Sequence, residues 1–335
     1  RLDRAALAAN WRWLAATAVT AAGAAVKADG YGLGAGEAVA TLADAGCRDF
    51  FVATWDEAVR LGPLPAAASL SVLHGVGPDD MAAALSSSAR PVLNSAQQVA
   101  RWKQAAPDRA CDLMIDTGMN RLGLRIDELA VADGLHVETL MSHLACADED
   151  HPLNARQLDR FRAVVGHVPA KRASLANSAG ICLGRDYSFD LVRPGLALYG
   201  GIPRGEAAGK IAQVAHPQAQ IVQRRMARAG ETVGYGATLT AARDTELAIV
   251  NIGYADGYFR GFAGSGVALS DGQRLPLVGR VSMDLAAIDC TALRGLREGD
   301  WVELEFDLPT ASAATGMSQY ELLTSLGDRF ERVWS

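Results

Sequence analysis

The stretch Ala24-Ala25-Val26-Lys27-Ala28-Asp29-Gly30-Tyr31-Gly32-Leu33-Gly34 begins as an apolar run, meets a lysine, and passes into small residues and three glycines. The pattern predicts a buried strand that ends at Lys27 and opens into a loop. A lysine at such a strand end stands where water is scarce. Desolvation disfavours its ammonium, so the amine is poised as a nucleophile or base. Tyr31 follows four residues later, in a glycine-rich loop whose backbone can approach a ligand closely. The bland account of the same residues is a strand-end lysine whose head reaches solvent along its own stem.

From that strand outward, short apolar runs alternate with helical patterns. Strands are expected at 50–53, 70–73, 91–93, 112–115, 138–142, 172–175 and 191–193. Helices are expected between them, among them 2–16, 37–45, 55–61, 96–105 and 153–164, the second closed by Gly46. Such alternation implies a parallel sheet covered by helices. About eight rounds in ~210 residues fit a (β/α)8 TIM barrel better than a doubly wound sheet. The dinucleotide alternative lacks its fingerprint, because Gly30-Tyr31-Gly32-Leu33-Gly34 does not have GxGxxG spacing. The texture changes near Lys210. Alternating segments at 220–227, 245–252, 267–269, 275–281, 286–288 and 301–306 are separated by turn signals such as Asp271-Gly272. A helix is expected at 317–326. The reading is a barrel over 1–212 and a mostly-β domain over 213–335.

Composition removes several function classes. The chain has 335 residues, half of them hydrophobic, and a net charge of −6. No basic run invites nucleic acid. Five cysteines are scattered with no CxxC pair and no His cluster, which reads as reduced thiols in a cytoplasmic protein with no metal site. No apolar stretch is long enough to span a bilayer, and Arg1 to Arg4 do not read as a signal peptide.

In a (β/α)8 barrel the working face lies at the C-terminal strand ends. The predicted ends carry Lys27 and Tyr31, then Asp116-Thr117-Gly118-Met119-Asn120-Arg121, His143, Asn177-Ser178 and Arg193-Pro194-Gly195-Leu196. Each has a bland account alone: His143 as a core histidine, Arg193 in a structural salt bridge, Asp116 capping a turn. Their gathering at one end of one sheet is harder to explain by chance. A strand-end lysine can form a Schiff base with an aldehyde. Asn177-Ser178 at a helix start and the Gly195-Leu196 amides suit an anion. Amine plus phosphate cradle points to pyridoxal phosphate, with an aldolase-type barrel as the alternative.

These segments match a known family. Val26-Lys27-Ala28-Asp29-Gly30-Tyr31-Gly32, Asp116 to Arg121, Ser142-His143, Ala176-Asn177-Ser178 and Val192-Arg193-Pro194-Gly195 are joined by three segments of the β domain: Gly234-Tyr235-Gly236-Ala237-Thr238, Gly253 to Tyr258 and Ser282-Met283-Asp284. In order and over essentially the whole chain, the sequence resembles the alanine racemases, fold-type III pyridoxal-phosphate isomerases. The resemblance implies a barrel plus a β domain, D-alanine supply for peptidoglycan, and a head-to-tail homodimer with shared active sites. It implies two bases on opposite faces of the cofactor, Lys27 for the D side and Tyr235, from the partner chain, for the L side. His143 is then expected to tune Tyr235. Arg193 is expected to face the pyridine nitrogen, and Arg121 the cofactor phenolate oxygen and the substrate carboxylate. Tyr31, Asn177, Ser178, Gly195 and Leu196 would hold the phosphate. Met283, Asp284 and Tyr254 would border the substrate pocket and its entrance.

Two departures matter. Many family members carry a carbamylated lysine two residues before the Asp of this motif, where this chain has Met114. No carbamate is therefore expected. The tail Leu326-Gly327-Asp328-Arg329 lacks a tyrosine used at the phosphate by some members, so no tail residue is given a role. Gly234 stands where a serine is commoner. The alternatives are a broader racemase of serine or basic amino acids, and a non-catalytic pyridoxal-phosphate protein.

Overall fold

The computed structural model describes residues Arg1–Ser335. The chain forms two compact units, Arg4–Ala212 and Gln213–Ser335, the latter including Arg1–Asp3.

The first unit is built on nine short strands: β1 (Ala21–Ala22), β2 (Ala24–Ala25), β3 (Asp49–Val52), β4 (Ser69–Val72), β5 (Arg90–Leu93), β6 (Cys111–Met114), β7 (Val137–Met141), β8 (Ala170–Ser174) and β9 (Leu191–Val192). β2 through β8 form one parallel sheet in sequence order, and β1 pairs in parallel with β9. The edges meet through backbone bonds: Asp190 N–H donates to Ala173 O, Arg193 N–H to Ala176 O, and Ala25 N–H to Pro194 O. The strands therefore curl into the predicted barrel. Their later residues are buried, as in the apolar run Phe50-Phe51-Val52. Helices return the chain between strands. Local sequence starts them: Thr54 and Glu57 form a capping box on Trp55–Leu61, and Ser95 caps Ala96–Ala105.

Charged groups sit inside this apolar frame, at the starts of the strands. Arg172 forks onto Asp49 at 3.0 and 2.7 Å, and Ser69 Oγ donates to the same carboxylate at 3.1 Å. Arg90 reaches Ser69 and, at 3.3 Å, the fully buried Asp112. Asp112 also accepts from Ser71 Oγ at 2.5 Å and from Thr139 N–H at 3.0 Å. The chain of bonds links β3 through β8. A buried carboxylate with all these donors is tolerated where a bare one is not.

The second unit is a closed antiparallel barrel. Its strands are β10 (Gln218–Ala227), β13 (Thr245–Val250), β16 (Ala286–Asp289), β15 (Gln273–Val278), β14 (Val267–Ser270) and β17 (Trp301–Leu304), in that spatial order. β11 (Thr232–Val233) and β12 (Leu239–Thr240) form a separate hairpin. Two helices near the end replace the single expected one. Leu308–Thr315 starts at Asp307, whose carboxylate accepts from Thr310 N–H, and Gln319–Thr324 starts at a Ser318–Glu321 capping box.

Candidate active site

The segment after β2 is not an open loop. Ala28, Asp29, Gly30 and Tyr31 all take positive φ, between 50° and 63°, so the chain winds through one left-handed turn. Each L residue in that region costs about 1–2 kcal/mol. Distant groups hold it there. Glu57 Oε1 accepts from Ala28 N–H at 2.7 Å while its other oxygen takes Ala53 N–H at 2.6 Å. Asp29 Oδ1 accepts from Ala35 N–H at 2.8 Å, and Gly32 N–H donates to Ala28 O at 2.8 Å. Strain of this kind persists where a site needs it. Here it sets Lys27 and Tyr31 at the same strand end. Tyr31 is buried and stacks on Tyr199, ring centres 4.7 Å apart.

Opposite the Tyr31 hydroxyl lies Gly195. A β-carbon on Gly195 would come within 2.1 Å of Tyr31 Oη, so bare backbone is required there. Ser178 Oγ accepts from Gly195 N–H at 2.9 Å and from Ala197 N–H at 3.2 Å, drawing the two segments together. Asn177 acts locally: its side chain caps the short helix Ser178–Cys182 by accepting from Gly180 N–H at 2.9 Å. Leu196 is buried beside them.

Three cations bear on one imidazole. Burial, then Arg193, Arg121 and Lys27, push His143 down to about 3, so it is neutral near pH 7. Lys27 is itself lowered, first by burial and then by Arg121, with Glu57 opposing. Arg193 is buried and donates to neutral oxygens only, Ser174 Oγ and, at 2.6 Å, Ser142 O. Desolvation brings it down to about 10 against the pull of Asp112. Three cations against the two carboxylates that bear on them, Glu57 and Asp112, leave an excess of positive charge that suits an anion. No cluster of His, Cys, Asp and Glu could hold a metal ion.

The motif Asp116 to Arg121 divides its labour. Asp116 Oδ1 accepts from Gly118, Met119 and Asn120 N–H groups at 2.8 to 3.1 Å, so this carboxylate builds the turn. Arg121 is exposed beyond it. Met114 is buried in β6. Sequence reading missed Gln157, fully buried on the helix Leu153–Val164. Its amide donates to His143 O at 2.9 Å and to Thr117 Oγ1 at 3.2 Å, and accepts from Ala145 N–H at 2.9 Å. One side chain thus ties the His143 segment to the Asp116–Arg121 segment. Nothing in its sequence neighbourhood marks it.

In the second unit, Tyr235 lies between Gly234 and Gly236 and is 72% exposed. The loops Gly253–Tyr258 and Ser282–Asp284 run side by side, with Tyr254 N–H donating to Ser282 O and Ala255 N–H to Met283 O, each at 3.0 Å. Arg260 lies over the Tyr254 ring at 5.1 Å, and Met283 is 53% exposed.

Known proteins match this chain over nearly its whole length. Residues 2–203 match the family model "Alanine racemase, N-terminal domain" and residues 214–334 match "Alanine racemase, C-terminal domain". The alanine racemase of Acidiphilium cryptum is 44% identical over 99% of this chain and 97% of its own. That of Rhizobium meliloti is 42% identical over 99% and 95%. Among solved structures, alanine racemase from Bartonella henselae with covalently bound pyridoxal phosphate superposes with a TM-score of 0.91, at 37% identity and 100% and 98% coverage. The biosynthetic enzyme of Pseudomonas aeruginosa superposes at 0.89 with 34% identity, covering 100% and 98%. From Agrobacterium fabrum, a biosynthetic and a catabolic enzyme are both 41% identical, so identity does not choose between the two roles. With both family models matched in order across the two units, the chain belongs to the alanine racemase family.

Proposed function

We propose that the protein interconverts L- and D-alanine with pyridoxal phosphate carried on Lys27. The observation that carries this reading is the gathering of Lys27, Arg121 and Arg193 around His143, beside the Tyr31–Gly195 approach. The residues fit the cofactor. Lys27 has a lowered affinity for its proton, so its free amine is accessible for a covalent link to an aldehyde. Gly195 leaves room for the Tyr31 hydroxyl, and Tyr31, Ser178, Gly195 and Leu196 would hold a phosphate, with Asn177 capping the short helix that follows. Arg193 can only donate, and so suits a ring nitrogen that keeps its lone pair. When bound, the cofactor supplies an electron sink that makes the alanine Cα–H acidic.

The remaining work falls to side chains. Racemisation removes a proton from one face and returns one to the other, so one base on one face restores the starting enantiomer. Lys27 Nζ serves the D face. Tyr235 Oη serves the L face, from the partner subunit of a head-to-tail homodimer. Its exposure on its own unit supports that use, since an interfacial tyrosine stands free of its own chain. A free phenol titrates near ~10 and needs positive surroundings to act as a base near neutrality. Arg193, Arg121 and Lys27 supply that field, and neutral His143 adds a hydrogen bond without adding charge. Arg121 orients the substrate carboxylate. Met283, Asp284 and Tyr254 border the methyl group and the entrance. D-alanine made this way suits peptidoglycan synthesis in the cytoplasm, and no helix is long and apolar enough to cross a membrane.

Borohydride reduction of the holoenzyme followed by peptide mapping tests the cofactor site. The label is expected on the peptide containing Lys27, and Lys27→Ala is expected to lose the imine absorbance. A label on another lysine overturns the assignment. A panel of L-amino acids tests the substrate: turnover of lysine or arginine above alanine rejects the narrow specificity.

A further inference from the structure

The C-terminal tail lies against the two loops that border the substrate. Gly327 N–H donates to Asp256 O at 3.1 Å, and a β-carbon on Gly257 would meet Ser325 O at 2.4 Å. The tail is braced in turn by Arg332, which donates to Leu326 O at 3.1 Å and Gly327 O at 3.2 Å. From this braced tail Arg329 spans both loops. Its Nε donates to Asp256 Oδ1 at 2.7 Å and one terminal nitrogen to Asp256 Oδ2 at 2.9 Å. Its other terminal nitrogen donates to Asp284 Oδ1 at 2.7 Å. Asp256 Oδ2 also accepts from Gly253 N–H at 2.9 Å.

An exposed ion pair contributes little, and the Arg329 side chain is half exposed. This one differs in two respects. The fork is bidentate on Asp256, whose carboxylate is nearly buried, and the same planar group takes a second carboxylate in another loop. The loops themselves leave no slack: a β-carbon on Gly253 would lie 2.2 Å from Met283 O. Backbone bonds hold the loops at Tyr254 and Ala255, and Arg329 closes the far end at Asp284, next to Met283.

We propose that Arg329 is a positioning residue that sets the spacing of the Tyr254 and Met283 loops, and through it the size of substrate side chain accepted. This rests on the racemase reading above. Lysine can replace it only in part, because a point charge holds one carboxylate and not a fork across two.

The test uses the holoenzyme. Racemisation of L-alanine and L-serine is measured for wild type, Arg329→Ala, Arg329→Lys and Asp256→Asn, with the cofactor absorbance band and Tm of each. Arg329→Ala is expected to raise KM for alanine about 10-fold, to hold kcat within about 2-fold, and to raise the serine-to-alanine ratio of kcat/KM about 5-fold. The cofactor band is expected to stay. Arg329→Lys is expected to fall between the two. Unchanged KM and ratio in Arg329→Ala overturn the proposal. So does a parallel loss of kcat, cofactor band and Tm that treats both substrates alike, because that is the mark of a purely structural residue. If Arg329→Ala does not fold, the other two variants decide: both quantities moving in the expected direction support the proposal, and neither moving overturns it. A wild type that does not racemise alanine refutes the underlying activity and the proposal with it.

Discussion

Gly195→Ala tests the cradle by steric means. The added β-carbon would lie 2.1 Å from Tyr31 Oη and 2.8 Å from its Cζ, where ordinary contact begins at 3.4 Å. The hydroxyl must therefore retreat by about 1.3 Å, the difference between 3.4 and 2.1 Å. Tyr31 has little room to do so. Its ring stacks on the fully buried Tyr199, whose own hydroxyl donates to Ala25 O at 3.0 Å, and its backbone is fixed in the left-handed turn. Overpacking of this kind costs about 1–3 kcal/mol. Taken from cofactor binding, that is about 5- to 150-fold in Kd for pyridoxal phosphate. Taken from the fold, it lowers Tm of the cofactor-free protein. Absorbance titration of the cofactor-free protein, run beside thermal unfolding, measures both. Wild-type affinity together with wild-type Tm would show that Tyr31 and Gly195 do not meet as described.

His143 gives a pH prediction with a definite sign. Its folded value, about 3, lies below the unfolded one near 6.5, so the unfolded chain binds the proton first. The stability tied to this group is complete above about pH 6.5 and is lost as pH falls toward about 3. At pH 4.5 the loss is about 3 kcal/mol. Urea unfolding at pH 7.5 and 4.5 is expected to show a larger acid loss in wild type than in His143→Asn, and equal losses contradict an imidazole kept neutral by its surroundings. Gln157→Leu leaves the His143 carbonyl and the Ala145 N–H without their partner. It is expected to cost about 2–4 kcal/mol in urea unfolding, and a loss below about 0.5 kcal/mol contradicts the tie.

The barrel was legible because its strands are short, apolar and regularly spaced, and the strand-end polar residues stood out against them. The left-handed turn was not. Ala28 and Tyr31 have no preference for that conformation and Asp29 only a weak one, and what imposes it includes Glu57, 29 residues from Ala28. Glu57 is visible in the sequence only as the end of a capping box. Gln157 looks like any polar helix residue until the barrel brings it against His143 and Thr117. Asp112 and Arg90 break the apolar pattern of their strands and find their reason only across neighbouring strands. The helix Leu308–Thr315 carries a local signal, Asp307 as cap with Pro309 in the first turn, set among residues that otherwise alternate like strands. Arg329 sits in a tail with no local pattern, and its partners Asp256 and Asp284 lie 73 and 45 residues away.

Solvent-deuterium exchange at the alanine α-carbon, measured separately from each enantiomer in Tyr235→Phe, addresses the two-base claim most directly. With Lys27 intact, D-alanine is expected to keep exchanging, while exchange from L-alanine and net racemisation both fall by about 10²–10⁴-fold. Equal exchange from the two enantiomers, or wild-type racemisation, would contradict the account.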